Sequence, residues 1–110
     1  MKTHLIRKET IEDYVVGHSG SRASFKDFLE KLKYADWEKP ADIKATFSAA
    51  DLLGRSCNRV VFDIAGNSYR MIAKYAFGER LVHLFICRIG THAECTTLCN
   101  AARQYTVNHF

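Results

Sequence analysis

With one proline, one tryptophan and six glycines in 110 residues, this chain has little to interrupt its regular elements. A single proline, Pro40, excludes a proline-rich linker or polyproline segment. No apolar run approaches the ~20 residues of a membrane-spanning helix. The start, Met1-Lys2-Thr3-His4-Leu5-Ile6-Arg7, lacks the apolar core of a secretory signal. Without such a signal, the four cysteines (57, 87, 95 and 99) read as reduced thiols, and the expected location is the cytoplasm. Repeats, low-complexity tracts and linkers are absent, which predicts one domain over residues 1–110. Acidic excess is absent too: sixteen Lys and Arg face twelve Asp and Glu. Residues 1–54 balance at nine of each sign, whereas residues 55–110 hold seven basic and three acidic side chains. The excess on the second half favours a polyanionic partner there.

What is present is ordinary globular material, 47% hydrophobic and 25% charged, enough for one core. Its most structured stretch runs from Asn58 to Glu94. Three β-rich runs, Arg59–Ile64, Tyr69–Phe77 and Leu81–Ile89, are separated by Ala65-Gly66-Asn67-Ser68 and by Gly78-Glu79-Arg80. Both breaks are hairpin signals, so the stretch predicts an antiparallel meander. Strict alternation puts Tyr69, Met71, Ala73 and Tyr75 on one side of the middle run, and Arg70, Ile72 and Lys74 on the other. On the third run it groups Val82, Leu84, Ile86 and Arg88 against His83, Phe85, Cys87 and Ile89. A face that interrupts apolar residues with Arg70, Lys74 and Arg88 is not an ordinary core face. Two readings stand: cations solvated on the open side of a half-buried sheet, or cations converging on an anion. Two arginines suit phosphate, which guanidinium binds bidentately.

Upstream, Thr3–Ile6 is short enough for an edge strand. Ile11, Tyr14 and Val15 recur at helical spacing between Lys8 and Val16. After the break at Gly17–Ser21, Phe25, Phe28, Leu29 and Leu32 mark a second helix, with Ser21 as its expected cap. Asp36 to Gly54 reads as a connector with a short helical turn, pinned by Trp37 and Phe47. Thr91 is placed to cap a last helix running towards Tyr105.

Three motifs resemble one family. Gly66-Asn67-Ser68-Tyr69-Arg70, the segment Arg88-Ile-Gly-Thr-His92-Ala-Glu94, and Trp37-x2-Pro40-x-Asp42-x-Lys44-x2-Phe47-x3-Asp51 look like the HigB-type toxins of bacterial toxin–antitoxin systems, which are similar in fold to RelE. The resemblance spans about residues 4 to 95. It implies an α+β fold, a twisted, mainly antiparallel sheet with an N-terminal helical hairpin on one face. It also implies a metal-independent endoribonuclease that needs no cofactor and cuts messenger RNA on the ribosome. A cognate helix-turn-helix antitoxin, HigA-like, is the implied protein partner. On this reading Arg70, Lys74, Arg88 and His92 carry the chemistry, and Lys39, Lys44, Arg59, Asn67 and Thr91 contact RNA.

Each catalytic candidate has a chemical reason. Cleaving RNA without a metal needs a base for the 2′-hydroxyl, charge at the phosphorane and an acid for the leaving 5′-oxygen. Arg70 and Arg88 supply charge, Lys74 is a third cation or a base, and His92 titrates in the right range as acid or base. Two rivals remain. His92, Cys95 and Cys99 share one helical face with Cys87 nearby, a possible zinc set that lacks paired C-x2-C spacing. A non-catalytic RNA-binding domain is the other, and it would carry exposed aromatics on its sheet face. The family resemblance also places a tyrosine where this chain has Cys95. A ring that stacks on the nucleotide at the cut would then be missing, which predicts a weakened toxin that Cys95→Tyr would restore.

Overall fold

The computed structural model describes residues 1–6, 8–53, 57–65 and 68–100, the last two without their side chains. Among them are a five-stranded sheet and four α-helices. In chain order these are β1 (Lys2–Ile6), α1 (Glu9–Gly17), α2 (Arg22–Lys33), α3 (Ala41–Thr46), β2 (Asp51–Leu52), β3 (Arg59–Ile64), β4 (Tyr69–Phe77), β5 (Leu81–Thr91) and α4 (His92–Asn100). The sheet order is β1-β5-β4-β3-β2, antiparallel except for the parallel β1/β5 pair. The meander of β3, β4 and β5 is therefore where the sequence predicts it.

The predicted turns close it. Ser68 N–H donates to the Ala65 carbonyl at 3.2 Å, and Ala65 itself takes the positive φ of 56°. Gly66 and Asn67 lie outside the described residues. Gly78 N–H donates to the Leu81 carbonyl at 2.9 Å, and a side chain at Gly78 would stand 3.1 Å from that oxygen.

One face of the sheet holds the main core. Val60, Phe62 and Ile64 of β3, Met71, Ala73 and Tyr75 of β4, and Val82, Leu84, Ile86 and Ile89 of β5 are all buried there. From the helices, Ile11, Phe25, Phe28 and Leu32 pack against them. The connector joins the same layer: Trp37 is fully buried, its indole N–H donates to Thr46 Oγ1 at 2.9 Å, and Phe47 stacks on Phe28 and meets Phe62 edge-on. Its two-residue strand β2 pairs with β3, which the sequence reading leaves as part of the connector. Fully burying each such side chain is worth about 1.5–3 kcal/mol before entropy is charged.

Two local expectations change. Ser21 sits at the start of α2 but does not cap it, because its hydroxyl donates back to the His18 carbonyl at 2.6 Å. The alternation on β5 is also broken. Ile72 pairs with Arg88 and Ala73 with Ile86, so Cys87 is an extra residue bulged out of the ladder. A bulge reverses the facing of everything beyond it. Arg88 therefore leaves the face of Val82, Leu84 and Ile86 for that of Arg70 and Lys74, and Ile89 enters the main core.

Candidate active site

The ladders place the residues of the second face in rows. The first row is Asp63, Arg70 and Gly90, and the second is Asp51, Val61, Ile72 and Arg88. The third is Arg59, Lys74, Phe85 and Ile6, and the fourth is Ala76, His83 and His4. Arg70 and Arg88 are diagonal neighbours across β4 and β5, a relation that separates Cα atoms by about 7–8 Å. The bulge at Cys87 makes this possible.

Neither arginine stands as an uncompensated charge. Arg70 Nε lies 3.2 Å from Asp63 Oδ1, and Arg88 Nη2 donates to Glu94 Oε2 at 3.5 Å. The Nε–H of Arg70 is poorly aimed, so this contact is an ion pair rather than a hydrogen bond. Both side chains are mostly covered, at 27% and 21% exposure. The four-residue turn before β4 fixes the first pairing, since Ile64 opposite Tyr69 puts Asp63 opposite Arg70. Alternation along β4 and β5 does not reveal this partner, because Asp63 stands on the neighbouring strand β3.

The second pairing depends on how α4 begins. Thr91 Oγ1 accepts the Glu94 N–H at 3.2 Å, and Glu94 Oε1 accepts the Thr91 N–H at 2.8 Å. This reciprocal capping box confirms Thr91 as the cap and aims the Glu94 carboxylate at Arg88. The Thr91 backbone N–H, more than the Thr91 hydroxyl and Arg88, holds the Glu94 carboxyl below the usual carboxylate range. Gly90 leaves room for this cap, since a Cβ there would stand 3.3 Å from Glu94 Cβ, closer than an ordinary contact.

His92 opens α4, half-buried, with its backbone N–H on the Ser68 carbonyl at 3.1 Å. It is thus held at the sheet end that carries Arg70. Lys74 is exposed, four residues along β4 from Arg70, or roughly 13 Å at strand spacing. Arg70 and Arg88 lie at the end of the face where α4 begins with His92, and Lys74 stands two rows from Arg70 and one from Arg88.

The residues expected to contact RNA divide. Thr91 is at the site as the helix cap. Arg59 is on the same face as Lys74 but only 8% exposed. Lys39 and Lys44 are exposed, on a connector whose Trp37, Ile43 and Phe47 pack into the core on the opposite face. Asn67 lies outside the described residues. Cys95 does not face a groove: it is 1% exposed beneath α4, its Sγ 3.9 Å from the Arg70 carbonyl. Further along α4, Leu98 covers a small apolar cluster of Val61, Ile72 and Cys87. Burial raises the Cys87 thiol pKa, with Arg59 opposing. Among the described residues no group of three or more His, Cys, Asp and Glu could hold a metal ion, and the Cys99 side chain lies outside them.

Sequence reasoning also passed over the end of α1. The His18 ring stacks on Tyr14 at 4.0 Å, and both meet Tyr69 edge-on. His18 Nδ1 lies 3.1 Å from the Tyr14 carbonyl, which only accepts, so that nitrogen carries the proton. Burial, then the Glu94 carboxylate, pushes the Tyr14 phenol up to about 12. This aromatic corner stands within electrostatic reach of Glu94 in the α4 cap, a proximity that no local pattern announces. A cavity of about 570 Å³ between β1 and α2, lined by Leu5, Leu29 and Leu32 among others, holds none of the candidate site residues.

The sequence matches, over residues 21–97, the family model described as HigB_toxin, the RelE-like toxic component of a toxin-antitoxin system. No curated protein matches the chain.

Proposed function

The chain belongs to the HigB toxin family, and from that premise we propose that it is a metal-independent endoribonuclease that cuts messenger RNA on the ribosome and is silenced by a HigA-like helix-turn-helix antitoxin. The observation that carries the reading is the diagonal pair Arg70 and Arg88, brought onto one face beside His92 at the end of β4. A guanidinium carries five N–H donors, so holding it with one carboxylate is compatible with its binding a phosphate. Asp63 and Glu94 then fix the two planes before substrate arrives, which is what preorganised charge stabilisation requires.

The reaction follows from that arrangement. The 2′-hydroxyl loses its proton to a base, and its oxygen attacks the adjacent phosphorus in line. Arg70 and Arg88 neutralise the phosphorane, and the 5′-oxygen leaves with a proton from an acid. The products are a 2′,3′-cyclic phosphate and a 5′-hydroxyl. His92 serves one of the two proton transfers. Lys74, roughly 13 Å along β4 from Arg70 and one row from Arg88, holds the neighbouring phosphate.

The test is message cleavage in a translating extract, with 5′ ends mapped on ribosome-bound and on naked RNA. The expected result is cutting on ribosomes and little on naked RNA, since an excess of four positive charges is small for holding a strand unaided. Co-expressed antitoxin should abolish the cleavage. Growth arrest with intact messages would overturn the reading. The exposed Phe85 beside Lys74 favours one alternative, a non-catalytic RNA-binding domain, and the same extract separates the two.

A further inference from the structure

The second face is not uniform. Its first two rows carry Asp63 and, through α4, Glu94, so the arginines there are balanced and partly covered. The rows beyond differ. Lys74 stands opposite Phe85, His83 lies one row on, and β1 adds His4 and Lys2 on the same side. The rings of His4 and His83 meet edge-on at 6.1 Å, which places both strands' side chains on that face. No strand residue on these rows is a carboxylate. Phe85 is 42% exposed, belongs to neither apolar cluster, and is flanked by Lys74 and His83.

An exposed phenylalanine on a strand costs solubility, and here it sits in a basic strip whose strand residues include no carboxylate. That combination is the composition of a single-strand binding surface, in which rings take bases and cations take phosphates. Lys74 is two residues along β4 from Ile72, the ladder partner of Arg88, or about 7 Å at strand spacing. That is one nucleotide's reach. We propose that Phe85 is the base-stacking seat of the substrate strand, which runs from Arg88 across Lys74 towards the β1 edge, with Lys74 on the phosphate next to the one at Arg88. This deepens the endoribonuclease reading and rests on it.

The measurement uses the full chain and a short 2′-O-methyl oligoribonucleotide carrying 2-aminopurine, which cannot be cut because its 2′-oxygens are blocked. At low ionic strength the wild type should quench the probe as the base stacks. Phe85→Leu should abolish the quenching and weaken binding by ~10–100-fold, while Phe85→Trp should restore both. Lys74→Gln should weaken binding, keep the quenching at saturation and lower the salt slope by about one. Circular dichroism on each variant secures the fold. A wild type that leaves the probe unquenched, or a folded Phe85→Leu that binds and quenches as the wild type does, overturns the proposal. So does a Phe85→Leu variant that loses only its antitoxin, because the ring would then be a protein contact. Since the probe cannot be cut, Phe85-dependent quenching alongside intact messages would sink the endonuclease reading and leave the strand seat standing. Normal message cleavage with no Phe85 dependence would do the reverse.

Discussion

On the helix side of the sheet, β3 and β4 present Val60, Phe62, Ile64, Met71 and Ala73, all less than 4% exposed. One residue along the same strands, the other side presents Arg59, Val61, Asp63, Arg70, Ile72 and Lys74. The first set is anchored by the aromatic cluster of Phe28, Phe47 and Phe62, and it receives α1, α2 and the connector. Among the described residues the second receives Leu98 of α4 and Leu53 over Val61, Ile72 and Cys87, and it keeps Lys74 and Phe85 exposed. The difference teaches that one face supplies the stability that the other spends on charge. Packing a complete apolar layer on one side lets the sheet tolerate the half-buried Arg70 and Arg88 on the other, each tied to a carboxylate.

Substitutions on the two faces should therefore fail differently. Phe62→Ala, on the packed face, should lose about 3–5 kcal/mol of stability, read as a lower urea midpoint. A small loss would mean the core does not rest on the Phe28–Phe47–Phe62 cluster. Arg70→Ala and Arg88→Ala, on the charged face, should keep the fold and lower message cleavage ~10²–10³-fold, about 3–4 kcal/mol. Wild-type cleavage by both folded variants would remove these arginines from the mechanism.

Cys95→Tyr sharpens the boundary between α4 and the charged face. The family resemblance suggests that a tyrosine restores activity, but the thiol is buried against the Arg70 carbonyl. A ring there has to displace α4, so the variant should lose about 1–3 kcal/mol by overpacking and gain no activity. A stable, more active Cys95→Tyr would show that the position turns outward.

The smallest effect concerns the α4 cap. The Glu94 carboxyl is held below its ordinary range, chiefly by the Thr91 N–H. A depressed folded pKa means its contribution is complete above the ordinary carboxylate range and is lost as pH falls through the folded value. With the side chain half exposed, solvent screening limits this to roughly a few tenths of a kcal/mol. Urea midpoints between pH 7 and pH 3 should fall slightly less in Glu94→Gln than in wild type. An identical acid limb would deny the carboxylate its capping role.

The amino-acid sequence by itself determined the strands of the meander, the helical spans as far as Asn100 and the Thr91 cap, while the expected continuation towards Tyr105 lies outside the described residues. Each follows from interactions between residues a few positions apart: alternation, turn chemistry, helical spacing and the threonine-to-glutamate reach. The three family motifs add the toxin family, which the match over residues 21–97 bears out. Only the tertiary structure decided which charges meet. Strict alternation keeps Arg88 with Leu84 and Ile86, and one bulged residue, Cys87, sends it to the opposite face. Phe85 consequently stands beside Lys74, where unbroken alternation had set aliphatic residues among the cations. Cys95 turns inward because α4 folds back onto β4, and Tyr14 and His18 reach Tyr69 because α1 ends above that strand. A bulge registers only against its partner strand, and a helix's inner face only against the surface that it covers. Both are facts about pairs of segments distant in sequence, which a periodicity read along one chain does not contain.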